Sequence, residues 1–245
     1  MYRERAAVGI PAAVRWASVS SGGRPVRVLP DGCLDLLWSS RAGLLVAGPD
    51  RVAQVSWSEP GERWIGLRLP PGVGPAVFGV PAEEVRDRRV PLADLWGRAA
   101  VEPAERIRAA TDPGGARCAA DWSDAGATIL EEVARARLRA AGGPDPLGAH
   151  VAARLAAGAT VAATAAEVGL GARALHRRSR ALFGYGPKTL ARILRMRRAL
   201  DLARRGVPLA EVAARSGYAD QAHLTRDVRE LTGVPPTRLL TSPPD

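Results

Sequence analysis

Cysteine is almost absent: Cys33 and Cys118 are the only two in 245 residues. Two thiols are too few for a disulfide framework or a four-ligand zinc site, and a reducing cytoplasm suits such a chain. Histidine is equally scarce, at three. Neither His176 nor His223 has a second His one helical turn on, and His150 stands alone, so no metal and no cofactor is expected. No apolar run approaches the ~18 residues that cross a bilayer. The opening "MYRERAAVGIP" lacks the apolar core of a signal peptide. The expected location is therefore the cytoplasm, without a membrane partner. Lysine is nearly missing too: of 35 basic residues only Lys188 is lysine. With abundant Ala and Gly, this points to a GC-rich coding sequence and weakens any argument from arginine enrichment alone.

What is present is unevenly spread. Residues 146–245 hold 16 basic and 7 acidic residues, the other 145 hold 19 and 18. The net charge of +10 thus sits almost wholly in the last hundred residues, which suits a polyanionic partner. Tryptophan splits the other way, with all six (16, 38, 57, 64, 96 and 122) in the first half.

Residues 12–69 read as short strands broken by turn signals: "VRWASVS", "CLDLLW", "LLVAG", "VAQVSW" and "RWIGLRL". Their spacing predicts a small antiparallel sheet, able to curl into a barrel. From Pro81 the period becomes helical, and "GGPDP" at 142–146 reads as a linker. The expected class is α+β: a β-rich sensing or dimerising domain over 1–98, a helical connector over 99–142, and an all-α domain over 143–245.

The last part contains a repeat. "VAATAAEVG" (161–169) aligns with "LAEVAARSG" (209–217), and "LHRRSRALFGYGP" (175–187) with "LTRDVRELTGVPP" (224–236). Each copy is a short helix, a turn with Gly and a second helix, the helix-turn-helix pattern. Ala165 and Ala213 sit where two crossing helices leave no room for a larger side chain. Gly169 and Gly217 supply the turn. Asp220 suits the N-cap of the second reading helix, where Gly171 caps the first less well. A hairpin that merely packs would have bland outer faces. Here Leu175 and Leu182 point inward and leave Arg173, His176, Arg177 and Arg180. In the second copy Leu224, Val228 and Leu231 point inward and leave Gln221, Ala222, Thr225 and Arg226. Arg forks onto guanine, Gln onto adenine, and Ala or the Thr methyl meets the thymine methyl. Between the copies, "PKTLARILRMRRALDLARR" (187–205) predicts a stiff helix of ~28 Å, close to the ~34 Å turn of B-DNA. Its Arg192, Arg195, Arg197 and Arg198 are expected to serve packing or phosphates.

Two such units joined by one long helix, with "GYGP", "RMRRALDLA", "VAARSGYADQAHLTR" and "GVPP" in order, resemble the DNA-binding domain of AraC-type transcriptional regulators over about 147–240. The resemblance implies base-reading positions at Arg173, His176 and Arg177, and at Gln221, Ala222, Thr225 and Arg226. Arg180 is expected on phosphate. "LPDGCLDLLW", "VAGPD" and "WIGLRLPPGVGPAVFGVPAEEVRDRRVPLADLWG" resemble an uncharacterised domain that precedes AraC-type domains in high-GC bacteria. Expected partners are double-stranded DNA, RNA polymerase, an unidentified small-molecule effector and, in a homodimer, a second copy of the chain.

In the first half "PDGCLD" is the most pointed stretch. Asp31, Asp35 and Arg68, with Trp38 and Trp64, are the candidate ligand residues. The plainer readings are an Asp-Gly turn, a salt bridge and core tryptophans, with Trp57 beside them. Cys33 reads as a small buried hydrophobe. The competing function is a DNA-repair alkyltransferase fused to an AraC-type domain. That chemistry needs a thiolate beside a His, and neither "DGCL" nor "ARCAA" supplies one.

Overall fold

The computed structural model describes residues 2–23, 25–111 and 121–241. Cys118 lies outside them. Among these residues seven strands come first, β1 (Tyr2–Ala6), β2 (Val14–Val19), β3 (Val26–Val28), β4 (Leu34–Ser39), β5 (Gly43–Ala47), β6 (Gln54–Ser56) and β7 (Arg63–Leu69), and β8 (Arg89–Pro91) follows the first helix. Six form one antiparallel sheet in the order β1-β2-β7-β4-β5-β8, and β3 pairs β6 in a separate ribbon. The sheet is open, with β1 and β8 as edges, so the anticipated barrel does not close. Its two central strands are β7 and β4, and the chain inserts β7 between β2 and β4.

One face of the sheet is apolar. Leu34, Leu36 and Trp38 of β4 and Ile65, Leu67 and Leu69 of β7 point into a common core. Helices α1 (Gly74–Phe78), α2 (Leu92–Trp96), α3 (Val101–Thr111) and α4 (Asp121–Ala140) accompany this sheet. Between α1 and β8, Ala82–Glu84 forms a single 3₁₀ turn. Ile107 of α3 and Ala127, Leu130 and Ala134 of α4 are buried in the sheet's own core. The stretch read as a connector therefore contributes to that core. Burial of Ile107 and Leu130 contributes about 1.5–3 kcal/mol each, and each alanine methyl about 0.8 kcal/mol.

The remaining helices are α5 (Pro146–Ala156), α6 (Val161–Glu167), α7 (Ala172–Phe183), α8 (Pro187–Arg204), α9 (Leu209–Ser216), α10 (Gln221–Thr232) and α11 (Pro236–Thr241). Asp145 caps α5, its carboxylate accepting from Leu147 N, with Pro146 in the first turn. Leu190, Ile193, Met196 and Leu200 of α8 form the spine of a second core, joined by Leu175, Leu182, Leu224, Val228 and Leu231. The two cores abut. Leu29 packs on the second, and Gly72 meets Gly148 so closely that a Cβ on either would lie 2.9–3.1 Å from the other's Cα. Among the described residues no helix is long and apolar enough to cross a membrane.

Candidate nucleic-acid interface

The two helix-turn-helix units are α6–α7 and α9–α10. Ala165 and Ala213 are buried at the crossings. Gly169 and Gly217 turn the chain at φ of 64° and 77°, where a Cβ would strain the backbone. Asp220 caps α10 as its position predicts, accepting from His223 N at 2.7 Å. Gly171 gives α7 no side-chain cap. Leu175 and Leu182, like Leu224, Val228 and Leu231, are buried, which turns most of the residues between them outward.

Arg173, His176 and Arg177 of α7 are exposed, as are Gln221, Ala222 and Arg226 of α10. Arg173, Arg177 and Arg226 form no ion pair among the described residues, so their guanidinium groups are available to a ligand. His176 lies against Gly186, where a Cβ would come within 2.7 Å of the ring. Thr225 is half-buried and its hydroxyl donates to the Gln221 carbonyl at 2.9 Å. Arg180 is engaged: Nη2 lies 2.5 Å from Glu83 Oε2 of the β-rich domain. The two units are joined by α8, whose 18 residues span about 27 Å.

One feature of α10 escapes its outward-facing pattern. Asp227 is only 4% exposed, although it follows exposed Arg226. Three donors satisfy its carboxylate: Arg192 Nε, Arg195 Nη2 at 3.1 Å and the Tyr218 hydroxyl at 2.9 Å. The Arg195 guanidinium also lies 4.3 Å from the centre of the Tyr218 ring, and Tyr218 meets His223 edge to face at 5.1 Å. Burial beside this carboxylate pushes the Tyr218 phenol up, keeping it a donor. The network ties α8, the turn of the second unit and α10 into one piece. In the first unit the position aligned with Asp227 is Arg178, which pairs with Asp145 at the start of α5, while Ser179, aligned with Val228, is buried with no partner for its hydroxyl among the described residues. Arg192 and Arg195, read as packing or phosphate residues, bind this carboxylate, and Arg198 donates to the Ala156 and Ser216 carbonyls.

The candidate ligand residues of the sheet do not all converge. Asp35 pairs with Arg68 across β4 and β7, on the face away from the core, and Trp64 shares that face. Trp38 points the opposite way, 6% exposed in the core. Trp57 is neither core nor pocket lining, being 70% exposed. Arg68 Nε lies 3.4 Å from Asp31 and 3.5 Å from Asp35. Asp31 also accepts from Cys33 N at 2.9 Å, the local turn its Asp-Gly sequence suggests. Burial raises Asp35 to about 6, with Arg68 opposing the rise. Burial likewise pushes the Cys33 thiol well up, which disfavours a nucleophilic thiolate there. No group of three or more acidic, His or Cys residues suited to a metal occurs among the described residues.

Comparison with known proteins bears on both halves. Residues 164–242 match the family described as a helix-turn-helix domain. Residues 13–91 match a domain of unknown function, DUF6597. No curated protein matches the chain. Similar solved structures include a probable AraC family transcriptional regulator from Rhodopseudomonas palustris CGA009. It is 22% identical, with a TM-score of 0.35, and the match covers 39% of this chain and 95% of that one. They also include an apo form of ToxT from Vibrio cholerae, 11% identical with a TM-score of 0.49, covering 92% of this chain and 96% of that one. A second ToxT structure is 8% identical with a TM-score of 0.47, covering 98% and 97%.

Proposed function

We propose, on the premise that residues 164–242 are an AraC-type helix-turn-helix domain and residues 13–91 a separate domain of unknown function, that this chain is a transcription regulator that binds double-stranded DNA sequence-specifically. The observation that carries the reading is the duplicated unit. Two capped or closed helices, joined by a rigid third, each offer unpaired polar groups in the first turns. Reading helices use those turns for base edges. Arg177 and Arg226 read guanine, Gln221 reads adenine, and Arg173 and His176 line the same face of α7, as do Ala222 and Thr225 on α10. The span of α8 is short of one helical turn of DNA by only a few ångströms, so both units meet successive major-groove segments on one face.

The β-rich domain modulates this binding. It touches α7 directly through Glu83 and Arg180, so a change in its position alters a reading helix without crossing any spacer. The face carrying Asp35, Arg68 and Trp64 is where we place a small polar effector, and Asp31 at its edge joins the domain junction. An effector can shift DNA affinity only by binding one arrangement of the domains better than the other. RNA polymerase and a second copy of the chain are the further partners of this reading, and the cytoplasm its location.

The test is selection of binding sites from a random duplex library with the full chain, followed by footprinting. Enrichment of one motif with two protected segments supports the reading. Retention of library DNA with no enriched sequence reduces the chain to a non-specific polyanion binder.

A further inference from the structure

We infer that the β-rich domain is a two-point clamp that sets the relative orientation of the two reading helices by gripping equivalent ends of both. The repeat makes Gly184 and Gly233 counterparts, and each closes its reading helix in the left-handed conformation. At each of these ends stands one arginine of the β-rich domain. Arg86 Nη1 donates to the Gly184 carbonyl at 2.9 Å. Arg27 Nη1 donates to the Thr232 carbonyl at 2.8 Å, beside Gly233. Each end has a second tie: Arg180 to Glu83 at α7, and Ala53 N to the Leu231 carbonyl at 2.7 Å at α10.

The chemistry of a helix end explains why these contacts form. The last four carbonyls of a helix have no partner within it, and the partial negative charge there favours a cation. A guanidinium supplies donor and charge together. The anchors are stiff on the other side also. Arg86 follows Val85, which is buried in the first core, and Arg27 lies on β3, hydrogen-bonded to β6. The grip is at the C-terminal ends, while Arg177, Gln221, Ala222 and Arg226 lie toward the N-terminal turns or the middle of each helix. The clamp therefore need not cover the reading residues. With α8 as one link between the units and the β-rich domain as a second, the reading helices form a closed frame with little freedom to pivot. Such a frame reads the spacing between two DNA segments as well as the segments themselves.

This inference rests on the proposed reading of DNA by both units, and two measurements separate the failures. The first needs no DNA. Spin labels are placed at the aligned positions Arg177→Cys and Arg226→Cys in full-length protein carrying Cys33→Ser and Cys118→Ser. A narrow distance distribution is expected, broadening when Arg27→Met and Arg86→Met are added together. Arg27→Lys with Arg86→Lys, which keeps a donor and a charge at each carbonyl, should restore most of the narrowness. A distribution of the same width with and without the arginines overturns the clamp. The second measurement titrates selected operators with one to five base pairs inserted between the protected segments. Engagement of two linked units gives on the order of 100-fold over one, so the clamped protein should lose about that much on a misplaced segment. The double Met variant should lose about tenfold or less, with each isolated segment bound as before. A folded double variant with the original spacing profile refutes the role in spacing. Absence of any sequence preference in the unaltered chain refutes the DNA reading instead, and leaves the label distances to judge the clamp.

Discussion

Replacing Asp227 with alanine removes the one acceptor shared by Arg192, Arg195 and Tyr218. The carboxylate is 95% covered, whereas the side chains of Arg192 and Arg195 keep 35% and 30% of their exposure. Breaking a fully buried ion pair costs about 3–5 kcal/mol, because the remaining charge is left without a partner. Here both arginines reach water and Arg192 keeps Glu230, so the orphaned-charge part of that cost is reduced. What remains is the lost charge-assisted bonds and a stranded Tyr218 hydroxyl, each worth about 1–3 kcal/mol. Asp227→Ala should therefore destabilise the helical domain by about 2–3 kcal/mol. Asp227→Asn keeps an acceptor for Tyr218 and should lose about half as much. Urea unfolding of the full chain, followed by circular dichroism at 222 nm, reports this because every described element from Pro146 to Thr241 is a helix. Tryptophan fluorescence follows the other half independently, since every Trp lies before residue 123. An Asp227→Ala chain within about 0.5 kcal/mol of the original would show that the network contributes nothing, because that is the spread of inert surface changes.

Three further outcomes follow from the same contacts. Arg226→Ala and Arg177→Ala should each relax preference at one base pair, at a cost of about 1–3 kcal/mol, and binding-site selection with each variant checks this. Glu83→Gln releases Arg180 from its ion pair and should strengthen binding to all sequences alike by up to about fivefold, the range of an exposed pair, in gel-shift titrations at low salt. Asp35 is raised from its ordinary 3.8 to about 6, so its contribution to stability is full below 3.8 and is lost as pH rises through 6. Asp35→Asn should abolish that decline, which amounts to on the order of 3 kcal/mol, and urea melts at pH 4, 5, 6 and 7 with an unchanged slope would refute it.

The second unit is legible in the sequence because its determinants are local. Asp220 before the helix, the spacing of Leu224, Val228 and Leu231, and Gly217 in the turn each act within a few residues. Asp227 is not legible in this way. A charged residue next to Arg226 reads as outward-facing, and it is buried only because Arg192 and Arg195, 35 and 32 residues earlier, reach it across the α8–α10 contact. The same holds for Arg180, whose partner Glu83 belongs to the other domain. In the sheet, the alternation of strands was readable and their order was not, since nothing in "RWIGLRL" encodes insertion between β2 and β4. The separation of Trp38 from Asp35 was within reach: residues three apart on a strand face opposite sides. Helices α3 and α4 carry an amphipathic pattern, yet which core their apolar face joins depends on the open face of the sheet.

Selection of binding sites from a random duplex library with the full chain, repeated at several salt concentrations, tests the central claim most directly. The account predicts one enriched motif with two segments about one helical turn, 10–10.5 base pairs, apart. Affinity for it should fall steeply as salt rises, since each neutralised phosphate releases counterions. Enrichment of no sequence over the starting library, or a motif of a single segment unaffected by Arg177→Ala or by Arg226→Ala, would contradict it.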